Sequence, residues 1–151
     1  MDNIRGQKAL KAQMDFIGVK TVPELLNLLG IPKQDLLLPC LICSKFLDPE
    51  DLQNFEGCKF SLVWRVEGVH GICRNCARVT AILERTNFHQ GTFTANDFFD
   101  KHGEHVHCVH VRCYICLSKL SVPEIDCMVE AGQVFHLVRG IVRGFCEKCN
   151  Q

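Results

Sequence analysis

Hydrophobic and polar positions along this chain fall into short blocks, not one long rhythm. The chain starts polar, with a short helix expected around Lys8–Phe16. Thr21-Val22-Pro23-Glu24 then opens the run Leu25-Leu26-Asn27-Leu28-Leu29, closed by Gly30 and Pro32. Thr21 and Glu24 have capping-box spacing, Pro23 suits a first turn and Gly30 a C-terminal cap, so the block predicts a two-turn helix. A second helix is expected from Gln34 through Leu36-Leu37-Leu38. Asp48-Pro49-Glu50-Asp51 starts a further helix that ends at Gly57. Phe60 to Val66 reads as a strand, and after the turn at Glu67-Gly68, Val69 to Ile72 returns as its partner.

The same plan follows a second time. Ser121-Val122-Pro123-Glu124 starts a helix that Gly132 can end, Gln133 to Val138 forms a strand, and Ile141 to Phe145 returns. Between the two copies, Val79, Ile82, Leu83 and Thr86 recur at helical spacing, with Arg74, Arg78 and Arg85 on another face. Thr94 to Phe99 predicts one more short helix.

Eight of the eleven cysteines mark the ends of the two copies. Cys40 and Cys43 are followed, after 29 residues, by Cys73 and Cys76; Cys113 and Cys116 are followed, again after 29, by Cys146 and Cys149. A shift of 73 positions superimposes the two sets, and it also matches Ile42 with Ile115, Leu47 with Leu120, Val69 with Val142 and Gly71 with Gly144. A Cys-x-x-Cys turn brings two thiolates together, and two such knuckles make the tetrahedral sulfur cage that Zn²⁺ prefers. Each Cys-to-Cys repeat spans 37 residues, too few to hold together by apolar burial alone, so a staple is required. Disulfides are the competing staple. The absence of an apolar signal segment at Met1 to Leu10 and the odd cysteine count favour a reducing compartment and metal. Two structural Zn²⁺ ions are expected, each with four cysteines and no open coordination position. A thioredoxin-like redox pair remains the alternative for any single Cys-x-x-Cys.

Cys58, Cys108 and Cys127 have no partner spacing and are expected to be small buried hydrophobes. His102, His105, His107, Cys108 and His110 invite a third metal site but match no zinc spacing. Seventeen basic and seventeen acidic residues cancel, which does not support sequence-specific DNA binding; nucleic-acid binding is expected to be weak at most. No apolar run approaches the ~20 residues needed to span a bilayer, so a soluble chain is expected.

The doubled cysteine framework from Cys40 to Cys149, with Leu28-Leu29-Gly30-Ile31-Pro32 and Leu38-Pro39-Cys40 ahead of it, resembles the papillomavirus early protein six, a viral transforming oncoprotein. The resemblance implies an α+β fold: two tandem small Cys₄ zinc domains, each a short antiparallel sheet plus helices, joined by a linker helix and preceded by a helical N-terminal arm. The expected division is 1–35 for the arm, 36–77 for the first zinc domain, 78–108 for the linker helix and connector, and 109–151 for the second zinc domain.

Function follows from the same resemblance. Family members are adaptors without known enzymatic activity. They capture an acidic helix carrying Leu-x-x-Leu-Leu from a host protein, in a pocket formed by the two zinc domains and the linker helix. They thereby modulate host transcription, apoptosis and innate immunity, or redirect ubiquitin-dependent degradation. The implied apolar contacts are Leu41, Ile42, Phe60 and Val63, with Ile82 or Leu83 from the linker; Ser61 beside Phe60 falls at a further contact position of the family, and Arg112 matches a rim arginine. Where some mucosal members carry a second gripping arginine, this chain has Ile141, flanked by Arg139 and Arg143, and Arg139 is taken as the substitute. Ordinary module packing is the alternative for the apolar positions.

A mastermind-like coactivator of Notch signalling is the favoured host partner, with a HECT-type ubiquitin ligase second. PDZ binding is not expected, because the chain closes on Glu147-Lys148-Cys149-Asn150-Gln151. Host nucleus and host cytoplasm are the expected locations, and homodimerisation is left open. Leu25 to Leu29 itself spells Leu-x-x-Leu-Leu; sealing of its own helix is favoured over self-binding. The competing reading is a DNA-binding zinc-finger transcription regulator using the Arg74, Arg78 and Arg85 face.

Overall fold

The computed structural model describes residues 18–150; the helix expected around Lys8–Phe16 lies outside them. The chain divides into two compact units between Arg74 and Asn75. Among the described residues there are five α-helices and two small sheets, the mixed architecture expected.

In the first unit, helix α1 (Val22–Leu29) forms as its end signals require: the Thr21 side chain accepts from Glu24 N, and Gly30 closes the helix at φ 66° with its N–H on Leu26 O. Val22 and Leu25 are buried, while Leu28 and Leu29 stay exposed. Only part of the leucine run therefore seals the helix. The preceding residues are tied to the module, with Trp64 Nε1 donating to Val19 O at 2.7 Å and Leu62 N to Lys20 O at 2.8 Å.

The helix expected from Gln34 through Leu38 does not form. Lys33–Asp35 make a single 3₁₀ turn, and Leu36 is extended (ψ 123°). Tertiary pairing overrides helical propensity here: Leu38 and Cys40 run as an edge beside the knuckle, with Leu47 N on Leu38 O and Cys40 in a parallel bridge to Gly71. Helix α2 (Pro49–Gly57) has a full capping box between Asp48 and Asp51. Strands β1 (Val63–Arg65) and β2 (Gly68–His70) pair antiparallel, shorter than their apolar runs suggest, with Trp64 opposite Val69.

The second unit repeats this and adds to it. Helix α3 (Arg74–Asn87) runs into β3 (His89–Phe93), then α4 (Ala95–His102), capped by Thr94 and Asp97. After β4 (Val111–Cys113), α5 (Val122–Glu130) is capped by Ser121 and Glu124 and ends before Gly132. Strands β5 (Phe135–Val138) and β6 (Ile141–Gly144) complete a four-stranded sheet ordered β3-β5-β6-β4, antiparallel except for the parallel β4–β6 pair. Neither β3 nor β4 is evident in the apolar pattern, since both are short and half polar. The apolar positions of α3 differ from a buried stripe: Cys76, Ala77 and Ala81 are buried, while Val79, Ile82 and Leu83 are exposed.

The two cores correspond position by position under the 73-residue shift. Leu38, Leu47, Leu52, Phe55 and Leu62 are buried in the first unit; Val111, Leu120, Ile125, Met128 and Phe135 take their places in the second. Gly71 and Gly144 explain their own match. A Cβ on Gly71 would come within 2.9 Å of the Leu38 side chain and 3.3 Å of Phe55; one on Gly144 would come within 2.7 Å of Met128 Sδ and 3.0 Å of Leu120. In both units the returning strand can pass the helix only where no side chain intervenes.

Candidate metal centres

The eight paired cysteines come together in two sets. In each, one ligand-capable sulfur from every cysteine lies within 4.8 Å of the others: Cys40, Cys43, Cys73 and Cys76 in one, Cys113, Cys116, Cys146 and Cys149 in the other. The backbone makes these knuckles the same way twice. Cys40 N donates to Lys45 O and Ser44 N to Cys40 O; Cys113 N donates to Ser118 O and Leu117 N to Cys113 O. Ser44 and Leu117, the residues after each second cysteine, both sit at positive φ (68° and 65°). That backbone costs about 1–2 kcal/mol for a residue with a Cβ, so the knuckle must stabilise it. The knuckle is then bound to the returning strand, with Leu41 N on Gly71 O at 2.9 Å and Tyr114 N on Gly144 O at 2.7 Å.

Sulfur separations discriminate between the possible staples. Cys43 and Cys73 Sγ are 3.9 Å apart and Cys116 and Cys146 Sγ 3.7 Å. A disulfide needs about 2.05 Å. Four thiolates at about 2.3 Å around a tetrahedral metal sit about 3.8 Å apart. Both sets can therefore hold a metal ion. Backbone N–H groups face the sulfurs as well, Cys73 N on Cys40 Sγ (3.5 Å) and Ile115 N on Cys113 Sγ (3.4 Å).

The electrostatics of the two sets differ. Burial alone would raise the Cys40 thiol, but backbone hydrogen bonds from Cys43, Cys73 and Ile42 bring it down to about 7. The Cys113 thiol is pushed up to about 12 by its hydrogen bond with Cys116 and by burial, and burial likewise raises Cys149.

Behind each knuckle lies an acid outside the cysteine pattern. The Asp51 carboxylate is 2% exposed and accepts from Arg74 N (3.1 Å), Arg74 Nε (3.2 Å) and Asp48 N (3.2 Å), with Lys45 Nζ at 3.4 Å. Burial opposes its charge, yet these donors hold it below the usual carboxylate range. Glu124 stands 73 positions later and accepts from Ser121 N (2.9 Å) and Glu147 N (2.7 Å). In both units the residue after the third cysteine is thus anchored to the acid at the third position of the helix. A signal for this was present in the sequence: acids three residues after the caps Asp48 and Ser121 recur at the repeat distance.

Of the remaining cysteines, Cys58 is buried, its Sγ 3.6 Å from Asn54 Oδ1, whereas Cys108 and Cys127 are exposed, contrary to expectation. Cys108 ends a 3₁₀ turn (Val106–Cys108), and Cys127 lies on the exposed side of α5. The histidines before the second knuckle do not assemble a metal cluster among the described residues. His107 pairs with Asp126 at 2.5 Å, His102 packs on Phe98 and His105 stacks on Phe99.

The residues named for peptide contact are placed as follows. Leu41 and Ile42 are exposed on the first knuckle (38% and 57%). Phe60 is half-buried edge-on to Phe55 (5.7 Å), Ser61 is exposed, and Val63 is half-buried opposite His70. In the second unit, Arg112 lies half-buried on β4 with NH1 on Leu117 O (3.2 Å). Arg139 is exposed, its guanidinium 5.1 Å over the Phe88 ring. Arg143 is no rim residue. It is 4% exposed and bound to Glu84 of α3 at 2.5 Å. The arginines expected on one basic face are partly spoken for, with Arg74 on Glu50 and Asp51, and Arg85 donating to Tyr114 O (3.1 Å) while capping that ring.

The family model described as Early Protein (E6) matches residues 40–149, from the first paired cysteine to the last. The chain belongs to the papillomavirus E6 family. Protein E6 of Mastomys natalensis papillomavirus is 42% identical over 131 residues, covering 86% of this chain and 96% of that relative. Protein E6 of human papillomavirus type 8 is 37% identical over 130 residues (85% and 83%), and that of human papillomavirus 12 is 36% identical over 129 (85% and 82%). The E6 alignment thus extends well ahead of the cysteine framework, into the segment that holds α1.

Proposed function

We propose that this E6-family chain is a viral adaptor whose two Cys₄ centres each hold a structural Zn²⁺, and which captures an acidic Leu-x-x-Leu-Leu helix from a host protein. Four thiolates leave no open coordination position, so the metals act on function by stiffening the walls of the binding surface. The observation that carries the reading is the outward stripe on α3. Val79, Ile82 and Leu83, at i, i+3 and i+4, are 45%, 48% and 55% exposed on a helix whose buried positions are small. Such a stripe matches the leucine spacing of a docking helix. Within the same unit, Arg112 and Arg139 supply cations for acidic flanks.

With Ile141 at the second arginine position, a mastermind-like coactivator is the favoured partner over a HECT-type ligase; the proposed outcome is altered host transcription, by a protein located in the host nucleus and cytoplasm. The test is titration of zinc-loaded protein with labelled Leu-x-x-Leu-Leu peptides of both partners. Coactivator-peptide affinity is expected to be the higher and to fall at least about tenfold in Ile82→Asp. Absent coactivator binding, or binding that Ile82→Asp leaves unchanged, overturns the reading. Equal binding of both peptides removes the partner preference.

A further inference from the structure

His89 and His136 are 47 residues apart, and no spacing rule links them. The bulged pairing of β3 with β5 sets His89 opposite Val138 and Thr92 opposite His136. Both imidazoles therefore lie on one face of the sheet. His89 Nε2 and His136 Nδ1 are 3.0 Å apart, with ring centroids at 5.3 Å and planes at 62°. Tyr114 stacks on His136 at 4.3 Å and Phe145 meets it edge-on at 6.0 Å, which holds the plane of that ring. His89 remains exposed.

Two ring nitrogens at this distance can share one proton or one cation. Cis ligands at about 2.1 Å from a metal lie about 3.0 Å apart in octahedral and about 3.4 Å apart in tetrahedral geometry. The observed separation falls at the octahedral value, so a cation could take the place of the proton shared between the two nitrogens once the rings turn their lone pairs toward it.

We propose that His89 and His136 form a third, weaker metal site for a borderline divalent cation such as Zn²⁺ or Ni²⁺, stapling β3 to β5 with solvent in the remaining positions. Imidazole suits these cations, and it binds them in the neutral form. Burial and the charge of His89 both depress the pKa of His136, which keeps the pair from protonating together. The charged groups around it set the affinity. Arg143, opposite His136 on β6, is offset by Glu84 of α3, and Arg85 of α3 lies on the far partner of the stack, Tyr114. Among the described residues no carboxylate is grouped with the pair, so binding belongs in the micromolar range, well below the thiolate sites. Because β3 follows α3 directly, the staple would steady the end of the helix that carries the outward apolar stripe.

The test uses the full, tag-free chain loaded with two equivalents of Zn²⁺ and titrated with NiCl₂. Histidine ring signals are followed by NMR, and retained zinc by elemental analysis after gel filtration. One further Ni²⁺ per chain is expected, broadening His89 and His136 first, with both zinc ions retained. His89→Gln and His136→Gln should each weaken uptake at least about tenfold, and His105→Gln should not. Exposed His89 can be replaced without disturbing the core, and circular dichroism checks that the fold persists. Unchanged Ni²⁺ affinity in His89→Gln, no saturable uptake in the micromolar range, or uptake matched by loss of zinc would each overturn the site.

Discussion

The two modules share one backbone plan and differ in how they satisfy it. In both, the residue after the third cysteine gives its N–H to the helix acid: Arg74 to Asp51 at 3.1 Å, Glu147 to Glu124 at 2.7 Å. In the first module that acid is fully buried and surrounded by the cations of Lys45 and Arg74. In the second it is half-exposed and held by neutral backbone donors. What repeats is a geometric requirement, one acceptor for one turn of chain behind the metal. Charge pairing was added in only one copy. The sheets diverge as well: in the first module the knuckle approach makes only the single Cys40–Gly71 bridge beside β1 and β2, whereas in the second the matching pairing extends into strand β4 and β3 is recruited from the connector.

The strongest way to probe this pairing is through the metals. Cys73→Ser and Cys146→Ser each remove one of four thiolates and should unfold their own module, lowering bound metal from two to one per chain. Structural zinc contributes on the order of 10 kcal/mol in modules of this size, so the loss exceeds what burial can offset. Metal content with thermal unfolding reads it. Loss of both metals on a single substitution would show that the modules do not fold separately.

Next come the acids. Asp51→Ala leaves the Arg74 and Asp48 N–H groups without their buried charged acceptor and should cost about 2–3 kcal/mol, whereas Glu124→Ala loses a half-exposed cap and should cost about 1 kcal/mol. Urea unfolding compares them, and equal costs would break the asymmetry drawn above. The glycines come third. Gly71→Ala and Gly144→Ala should each cost about 1–3 kcal/mol through overpacking, with the second cheaper because Met128 can shift where Phe55 cannot. The reverse ranking would mean that the first core yields more readily than its aromatic content suggests.

The smallest effect is one of pH and belongs to the second module alone. His136 has a folded pKa depressed by burial and by His89. A depressed histidine contributes stability that is present above its unfolded pKa of about 6.5 and is lost as pH falls from there through its lower folded pKa. Between pH 7.5 and 5.5 the wild type should therefore lose more stability than His136→Gln. Equal slopes would remove His136 from the account.

Much of this was legible because it is local or repeated. The caps Thr21, Asp48, Thr94 and Ser121 and the closing Gly30 mark helix ends through hydrogen bonds within four residues. The cysteine pairs mark the metal sets because two knuckles at equal spacing leave few other arrangements. Other features were hidden for equally physical reasons. Leu36-Leu37-Leu38 reads as helix by composition, but its backbone pairs with the knuckle instead. Cys108 and Cys127 carry no sequence mark that separates an exposed thiol from a buried one.

The sequence by itself determined the doubled framework, the capped starts of four helices, the family and the four-sulfur character of both sites. These depend on spacing and on contacts between near neighbours, which a chain displays directly. Tertiary structure alone decided that β3 and β4 join the second sheet, that Arg143 is buried against Glu84 instead of facing outward, and that His89 meets His136. Those outcomes depend on which distant segments find each other once the two cores close, and a neutral half-polar strand or a lone arginine carries no signal of its eventual partner.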